Sequence, residues 1–511
     1  MVWSLVLFRH ARESVEDAAA IGSLFTCVFG IYYLLCAGMA FAAFIAFVSF
    51  EAGGTSVWPF FVFVIIVLLL ATFCKQQRAR TEDGGGDEGH PCSTFLCNAV
   101  LVVVCFVLLF FQITMTAQAI GAAVDYQGNA PFGQRFSVPD AEGTLTDMHL
   151  YCLTNDDDDY DVEAQLPTVL LESAINAPGV VSWSLVQPLV ARALRVCSYD
   201  RRGYGWSWRG PNPRNVAQFA VELRDLLDAA KVSRPLVYVG WGYGGMAASA
   251  YAHRFGTDPR TGEVRGIVFV DALHPAQTDP STDSTEQLTD SIEDQFKLDS
   301  GPTGYDNFVR FFAPLGFVRM GEATAVETGS LGFPFDTLRL LPQRAFEAYR
   351  AFLLGYYHPN VVFQEKRQWT TLSRDDVTKA PLLNSTVRGS AATANASLTA
   401  TKNLYKEGAL GDLPVAVISR KSNDTQYAMF QQKLAQLAPN TTLTLTSTAP
   451  DFLPMRDPDT IARAIIRVAA RAAIYGGVKI NDQDVGSKRK RSTEEQVVEL
   501  ENILLARLRK K

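Results

Sequence analysis

Arg195-Val-Cys-Ser-Tyr199-Asp200-Arg201-Arg202-Gly203-Tyr204-Gly205-Trp206-Ser207 is the stretch that decides the fold. Its first five residues read as a short strand. On its N-terminal side lie an apolar strand, Pro167-Thr-Val-Leu-Leu171, and a stretch 183–194 with Trp183, Val186, Leu189, Val190 and Leu194 at helical spacing. On its C-terminal side, 216–230 places Phe219, Leu223, Leu226 and Leu227 on one helical face, with Asn215 able to cap it. Leu236–Val239, Gly266–Val270, Val415–Ile418 and Thr442–Leu445 read as further strands, and Asp147–Thr154 as one that precedes them all. Strands alternating with helices imply a mostly parallel sheet covered on both faces.

The quoted stretch resembles the Y-D-R-x-G-Y-G-W-S segment of the α/β-hydrolase superfamily, in its serine-hydrolase branch. Leu170-Leu-Glu-Ser173, Val270-Asp271-Ala-Leu-His274-Pro275 and Leu413-Pro414-Val-Ala-Val-Ile418 fit the same family in order and spacing. The resemblance covers residues 134–475. It implies an eight-stranded, mostly parallel sheet with a helical cap at about 276–410. It also implies a Ser-His-acid site, and here the sequence departs from the family.

Active members carry the nucleophile in a sharp G-x-S-x-G elbow, usually G-H-S-x-G-G. This chain reads Gly240-Trp241-Gly242-Tyr243-Gly244-Gly245. The glycines of the turn are kept, but Gly242 stands where the serine belongs and Trp241 where the histidine often precedes it. Glycine has no hydroxyl and forms no acyl-enzyme. A glycine-rich loop cradling a phosphate is the competing reading, but G-x-G-x-G alone is weak evidence and the other matched segments favour the elbow. The family's catalytic histidine follows the eighth strand, and Asp451 occupies that position in Ala449-Pro-Asp-Phe-Leu-Pro454, before a helix expected at 459–473. The six histidines are His10, His90, His149, His253, His274 and His358, so none lies beyond His358. Asp424 is the nearest candidate for the acid, with Asp271 the alternative. Both read as structural carboxylates once the other two members are gone. His253 and His274 match helix and strand-end positions of the fold, and His358 falls in the cap. The backbone N–H groups of Tyr243 and of Ala174 or Ile175 are the family's oxyanion-hole positions, and they would survive with the fold. No cofactor or metal motif appears.

The remaining chain points to a membrane. Of the 511 residues 48% are hydrophobic, and the excess sits in the first quarter. After a flank at 1–17, the runs 18–50, 56–74 and 95–123 carry no Lys, Arg, Asp or Glu within their apolar cores. A helix needs about 20 apolar residues to cross the hydrocarbon layer, so 18–123 reads as a membrane domain of three transmembrane helices. Arg9 and Arg12 before the first run, and Lys75, Arg78 and Arg80 between the second and third, place those flanks on the cytoplasmic side. The large domain is then expected in the lumen or outside the cell. Sequons at Asn384, Asn395, Asn423 and Asn440 agree with this as candidate glycosylation sites.

Net charge is −6 with 20% charged residues, which gives no support to a nucleic-acid partner. The expected partners are the bilayer and a small apolar ligand or a protein. Eight cysteines show no C-x-x-C pair, and only Cys152 and Cys197 lie outside the apolar first quarter. The resemblance places those two on neighbouring strands, where they are either a disulfide or two buried thiols. The acidic run Asp156–Asp159 reads as a solvated loop. In the tail, 476–511, Lys488-Arg-Lys-Arg491 precedes a capping box, Ser492-Thr-Glu-Glu495. Val497, Leu500, Leu504 and Leu508 then fall on one face of a short amphipathic helix that could bind a partner.

Overall fold

The computed structural model describes residues 91–154, 166–175, 177–211, 216–258, 260–274, 310–313, 315–321, 335–355, 361–365, 407–422, 425–446, 452–478 and 492–509. Packing divides the chain into two units: Met1–Gly128 with Phe311–Leu331 and Leu354–Tyr356, and Asn129–Arg310 with Gly332–Leu353 and Tyr357–Lys511.

In the first unit, helix α1 runs over Pro91–Gly128, 38 residues, or about 57 Å at the usual rise of about 1.5 Å per residue. It contains the third expected span, 95–123. The first two spans, 18–50 and 56–74, lie outside the described residues. Side chains of much of the first half of α1 lie outside them too, and among the described residues no helix is long and apolar enough to cross a membrane. Where side chains are described, Val103, Val107, Phe110, Ile113, Ile120 and Val124 are exposed along one stripe. Within the range of the expected cap, Phe311–Leu331 and Leu354–Tyr356 group with α1 and Gly332–Leu353 groups with the sheet unit; most of 276–410 lies outside the described residues.

In the second unit, β1 (Gln134–Pro139) and β2 (Leu145–Leu153) form an antiparallel hairpin. Then come β3 (Thr168–Glu172), α2 (Gly179–Ser182), α3 (Val186–Ala191), β4 (Val196–Tyr199), α4 (Val216–Ala229), β5 (Leu236–Trp241), α5 (Gly244–Phe255) and β6 (Val264–Val270). Beyond the insertion helices α6 (Phe335–Leu338) and α7 (Gln343–Leu353) lie β7 (Val415–Arg420), α8 (Thr425–Ala435), β8 (Thr442–Thr446), α9 (Leu453–Arg456), α10 (Pro458–Tyr475) and α11 (Thr493–Arg509). The strands make one eight-stranded sheet in the order β1-β2-β4-β3-β5-β6-β7-β8. β2 pairs antiparallel with β1 and β4, and every pairing from β4 onward is parallel. β3 and β5 are buried throughout, which is why they read as unbroken apolar runs rather than alternating ones.

Successive residues face opposite layers. Val169, Leu171, Val237, Val239, Val268, Val270 and Ile418 pack beneath α3 and α10. Leu170, Leu236, Tyr238, Ile267, Phe269 and Val417 pack beneath α4 and α5. Cys152 and Cys197 are direct partners in the β2–β4 register and are joined by a disulfide. Two expectations need restating. The 183–194 helix is shorter than expected: the chain turns after α2 ends at Ser182, and α3 covers only Val186–Ala191. The apolar face of the tail helix is covered from within the sheet unit: Val497, Leu500, Leu504 and Leu508 are buried in the same core as α10. α11 begins on the expected capping box. The backbone N–H of Ser492 donates to Glu495 Oε2 at 2.8 Å, and Ser492 Oγ accepts from Glu495 N at 3.2 Å. Arg467–Glu501 (3.0 Å) and Arg192 Nη1 to Leu508 O (3.1 Å) fix its course. The sheet unit therefore extends past the expected boundary at 475. The basic run 488–491 lies outside the described residues. Of the sequons only Asn440 is described, exposed in the turn before β8; Asn384, Asn395 and Asn423 lie outside.

Candidate active site at the β5–α5 elbow

β5 runs into α5 through Gly242, whose φ is +55°, a value that strains any side-chain-bearing residue. Gly242 N donates to Val270 O (3.1 Å), and Gly242 O accepts from Gly245 N and Leu273 N (both 3.1 Å). The surrounding backbone is packed tightly. A Cβ on Gly240 would lie 2.4 Å from Gly244 O, one on Gly244 2.7 Å from Glu172 O, and one on Gly245 2.5 Å from the Cβ of Ala272. At Gly242 a Cβ would meet the Cβ of Ala174 at 2.9 Å. The loop after β3 thus sits on the position from which a nucleophile would project.

That loop is held by a network that sequence reading did not single out. Arg201 Nη1 donates to Ser173 O (2.7 Å) and pairs with Glu172 Oε1 (2.8 Å), and Arg201 Nη2 donates to Ala174 O (3.0 Å) and faces Glu365 Oε2 at 3.4 Å. Glu172 Oε2 accepts from the hydroxyls of Tyr199, in a short bond, and Tyr238, at 3.0 Å. Tyr204 OH donates to Glu365 Oε2 at 2.6 Å. All of these side chains are buried. Burial works against the charge of Arg201, but Glu365 and Glu172 outweigh it and push its pKa well above the ordinary value. Burial also pushes the Glu172 carboxyl up, with Arg201 and the two phenols offsetting part of the rise. Glu172 and Arg201 were visible in principle, since Glu172 ends β3 and Arg201 follows the adjacent parallel strand β4. Glu365 carries no local signal, because it comes from the insertion.

A second buried group has the composition of a catalytic triad without its geometry. His149 Nδ1 lies 2.9 Å from Asp200 Oδ2, and Nε2 accepts from Gly133 N at 3.2 Å. The proton is therefore on Nδ1, and Nε2 is occupied by an amide rather than a hydroxyl. Ser207 Oγ accepts from the backbone N–H of His149 (2.8 Å) and donates to Asp200 O (2.6 Å). These bonds fold the Tyr199–Ser207 stretch onto β2 and leave no nucleophile–base pair.

Of the residues singled out from sequence, the structure brings Tyr243 and Ile175 into one apolar cluster with Phe219 and Leu273. Trp241 is buried between Trp183 (centroids 6.4 Å) and Phe452 (5.7 Å). Asp451, Asp424 and His358 lie outside the described residues. Phe452, next to Asp451, has a φ of +59°. Asp271, at φ +46°, accepts a short bond from Tyr427 OH and lies 3.7 Å from Arg420 Nη1.

The sheet order, the crossovers and a positive-φ elbow after β5 form one recognisable arrangement, and a family model described as alpha/beta hydrolase fold matches residues 167–315. The chain is an α/β-hydrolase-fold protein. Relatives with similar sequence include an uncharacterized protein of Schizosaccharomyces pombe, 40% identical over 87 residues, which are 17% of this chain and 15% of that one. An AB hydrolase superfamily protein of Gibberella zeae is 33% identical over 92 residues, 18% of this chain and 28% of that one. An uncharacterized vacuolar membrane protein of Saccharomyces cerevisiae is 30% identical over 125 residues, 23% of this chain and 19% of that one. The chain thus spans less than a third of the length of each of these relatives. Among solved structures, an esterase from Thermogutta terrifontis (15% identity, TM-score 0.42) covers 66% of this chain and 99% of its own. A haloalkane dehalogenase from Bradyrhizobium elkanii (18%, 0.41) covers 65% and 94%. Neither likeness bears on activity.

In this hydrolase fold, His274 follows β6 and stacks on Phe430 with centroids 5.5 Å apart. Burial, assisted by Lys433, pushes its pKa down to about 4 from 6.5. The native state therefore stays unprotonated over a range in which the unfolded chain takes up a proton. Stability is complete above about pH 6.5 and falls as the pH drops toward 4, by about 3 kcal/mol at roughly 1.4 kcal/mol per unit. Thermal midpoints measured across this range should fall less steeply in His274→Gln than in the native chain; equal slopes would assign the loss to other groups.

Proposed function

We propose that this chain is a membrane-anchored pseudo-hydrolase, an α/β-hydrolase fold that binds a ligand or protein without turning it over. The observation that carries this reading is the closed elbow. Gly242 has no hydroxyl, and a Cβ there would lie 2.9 Å from the Cβ of Ala174. The absence of any histidine beyond His358, with Asp451 at the expected histidine position, supports the same reading. Positive φ values occur at Gly242 of the elbow and at two side-chain-bearing residues, Asp271, the alternative acid position, and Phe452, the residue after the expected histidine position. Strain of this kind usually accompanies a working site, so its presence here fits descent from an active ancestor.

Around the old nucleophile position stand Trp241, Phe452, Ile175 and Tyr243, so the proposed ligand is a small apolar molecule or an apolar protein segment. The proposed anchor is the three helices at 18–50, 56–74 and 95–123, a reading supported by the vacuolar membrane relative. The disulfide Cys152–Cys197 and the exposed Asn440 fit a luminal or extracellular sheet domain.

The test is Gly242→Ser. Strain alone should cost about 1–3 kcal/mol, read as a lower thermal midpoint, and the new serine should stay inert to fluorophosphonates for want of a base. Ester turnover by Gly242→Ser would contradict the loss of the base at the Asp451 position, and ester turnover by the native chain would contradict the reading itself.

A further inference from the structure

The insertion contains a segment that packs on α1 rather than on the sheet. Phe317 meets Phe110 and Phe111 at centroid distances of 5.9 and 5.6 Å, and Phe312 meets Phe317 at 5.4 Å. Gly316 turns with a φ of +86° directly against α1, where a Cβ would lie 2.2 Å from Thr114 O. Higher up the helix, Arg319 pairs with Asp125 (2.7 Å) and donates to Gln118 Oε1 (3.0 Å). Gln118 Nε2 in turn donates to Leu354 O at 2.7 Å. Asp125 is the only charged residue within α1, and its partner is supplied by the insertion.

The positions of these contacts suggest what lies outside them. The proposed span, 95–123, is longer than the roughly 20 residues that cross a hydrocarbon layer; counted from Phe95, those 20 end at Thr114. The phenylalanine contacts therefore fall at the last turn of that stretch. From Thr114 onward the polar side chains Thr114, Thr116 and Gln118 are buried. On the outer side, Phe311 is 66% exposed and touches Phe312 (5.0 Å), while Phe110 and Ile113 of α1 are 46% and 50% exposed. A chain of ring contacts, Phe311–Phe312–Phe317–Phe110, links this exposed ring to the exposed stripe of α1. Isolated exposed apolar residues need no explanation, but a linked set of aromatic and aliphatic ones at the end of that stretch does.

We propose that residues 311–321 are a second membrane-contacting element, with Phe311 seated among lipid acyl chains at their boundary with the headgroups. The proposal rests on the reading of α1 as a membrane span. The bilayer is the favoured occupant because these ring contacts lead to a helix that is uncharged from Pro91 to Val124, and because the Arg319–Asp125 pair lies beyond the expected hydrocarbon. Inserted apolar side chains of this kind hold a segment in the interface plane.

The test uses the full chain in phosphatidylcholine vesicles that contain lipid with a nitroxide near the carbonyl end of the acyl chain. A fluorescent aromatic amino acid replaces Phe311 in one preparation, Val107 in a second and Glu494 on α11 in a third. The expected result is a blue shift and loss of most of the emission at 311, quenching at 107, and neither at 494. Quenching at 107 without quenching at 311 would overturn the lipid contact and leave the anchor standing. No quenching at 107 would overturn the anchor, and the contact with it.

Discussion

Arg201→Met should destabilise the protein by about 3–5 kcal/mol, the range observed when one member of a buried charge network is removed. The guanidinium lies between Glu172 (2.8 Å) and Glu365 (3.4 Å), and it also binds the carbonyls of Ser173 and Ala174. Without it two buried carboxylates face each other, and two carbonyls lose their donor. Neutralising both acids should recover part of the loss. The triple variant Arg201→Met, Glu172→Gln, Glu365→Gln should therefore melt above the single variant, as measured by intrinsic fluorescence on the full chain in detergent. A loss below about 1 kcal/mol, the level of an exposed pair, would show that the network does not hold the loop on Gly242.

Leu504→Ala should cost about 2–5 kcal/mol, the usual range for a buried leucine truncated in a packed core. Leu504 lies on α11 and is only 1% exposed, in the same cluster as Ile465, Ile466 and Ala469 of α10. α10 carries buried residues on nearly every turn because the sheet covers one side and α11 the other. Val498→Ala on the outer face, where the side chain is 50% exposed, is the control and should change little. Equal melting of Leu504→Ala and the native chain would mean that α11 is not part of the folded core.

The sheet was legible from sequence because parallel strands buried on both faces carry unbroken apolar runs. Thr168–Glu172, Leu236–Trp241 and Val415–Arg420 all show this. Gln134–Pro139 did not, because an edge strand exposed at four of its six positions shows little apolar signal. The tail helix was legible as a helix, from its capping box and apolar face, but an apolar face does not say whether its partner is internal or external. The elbow could be read because its glycines are local. The Arg201 network could not, because Glu365 lies 164 residues away and nothing near it announces a buried ion pair. The paired roles of His149 and Asp200 were missed for a similar reason, being set by the β2–β4 register and by an amide from Gly133.

The most direct test of a closed, non-hydrolytic elbow is reaction of the native full-length chain with a fluorophosphonate probe and a panel of model esters, read by in-gel fluorescence and product release. Neither labelling nor turnover above a heat-denatured control is the expected result. Labelling or turnover abolished by a single Ser or Asp substitution in the sheet unit would contradict the account.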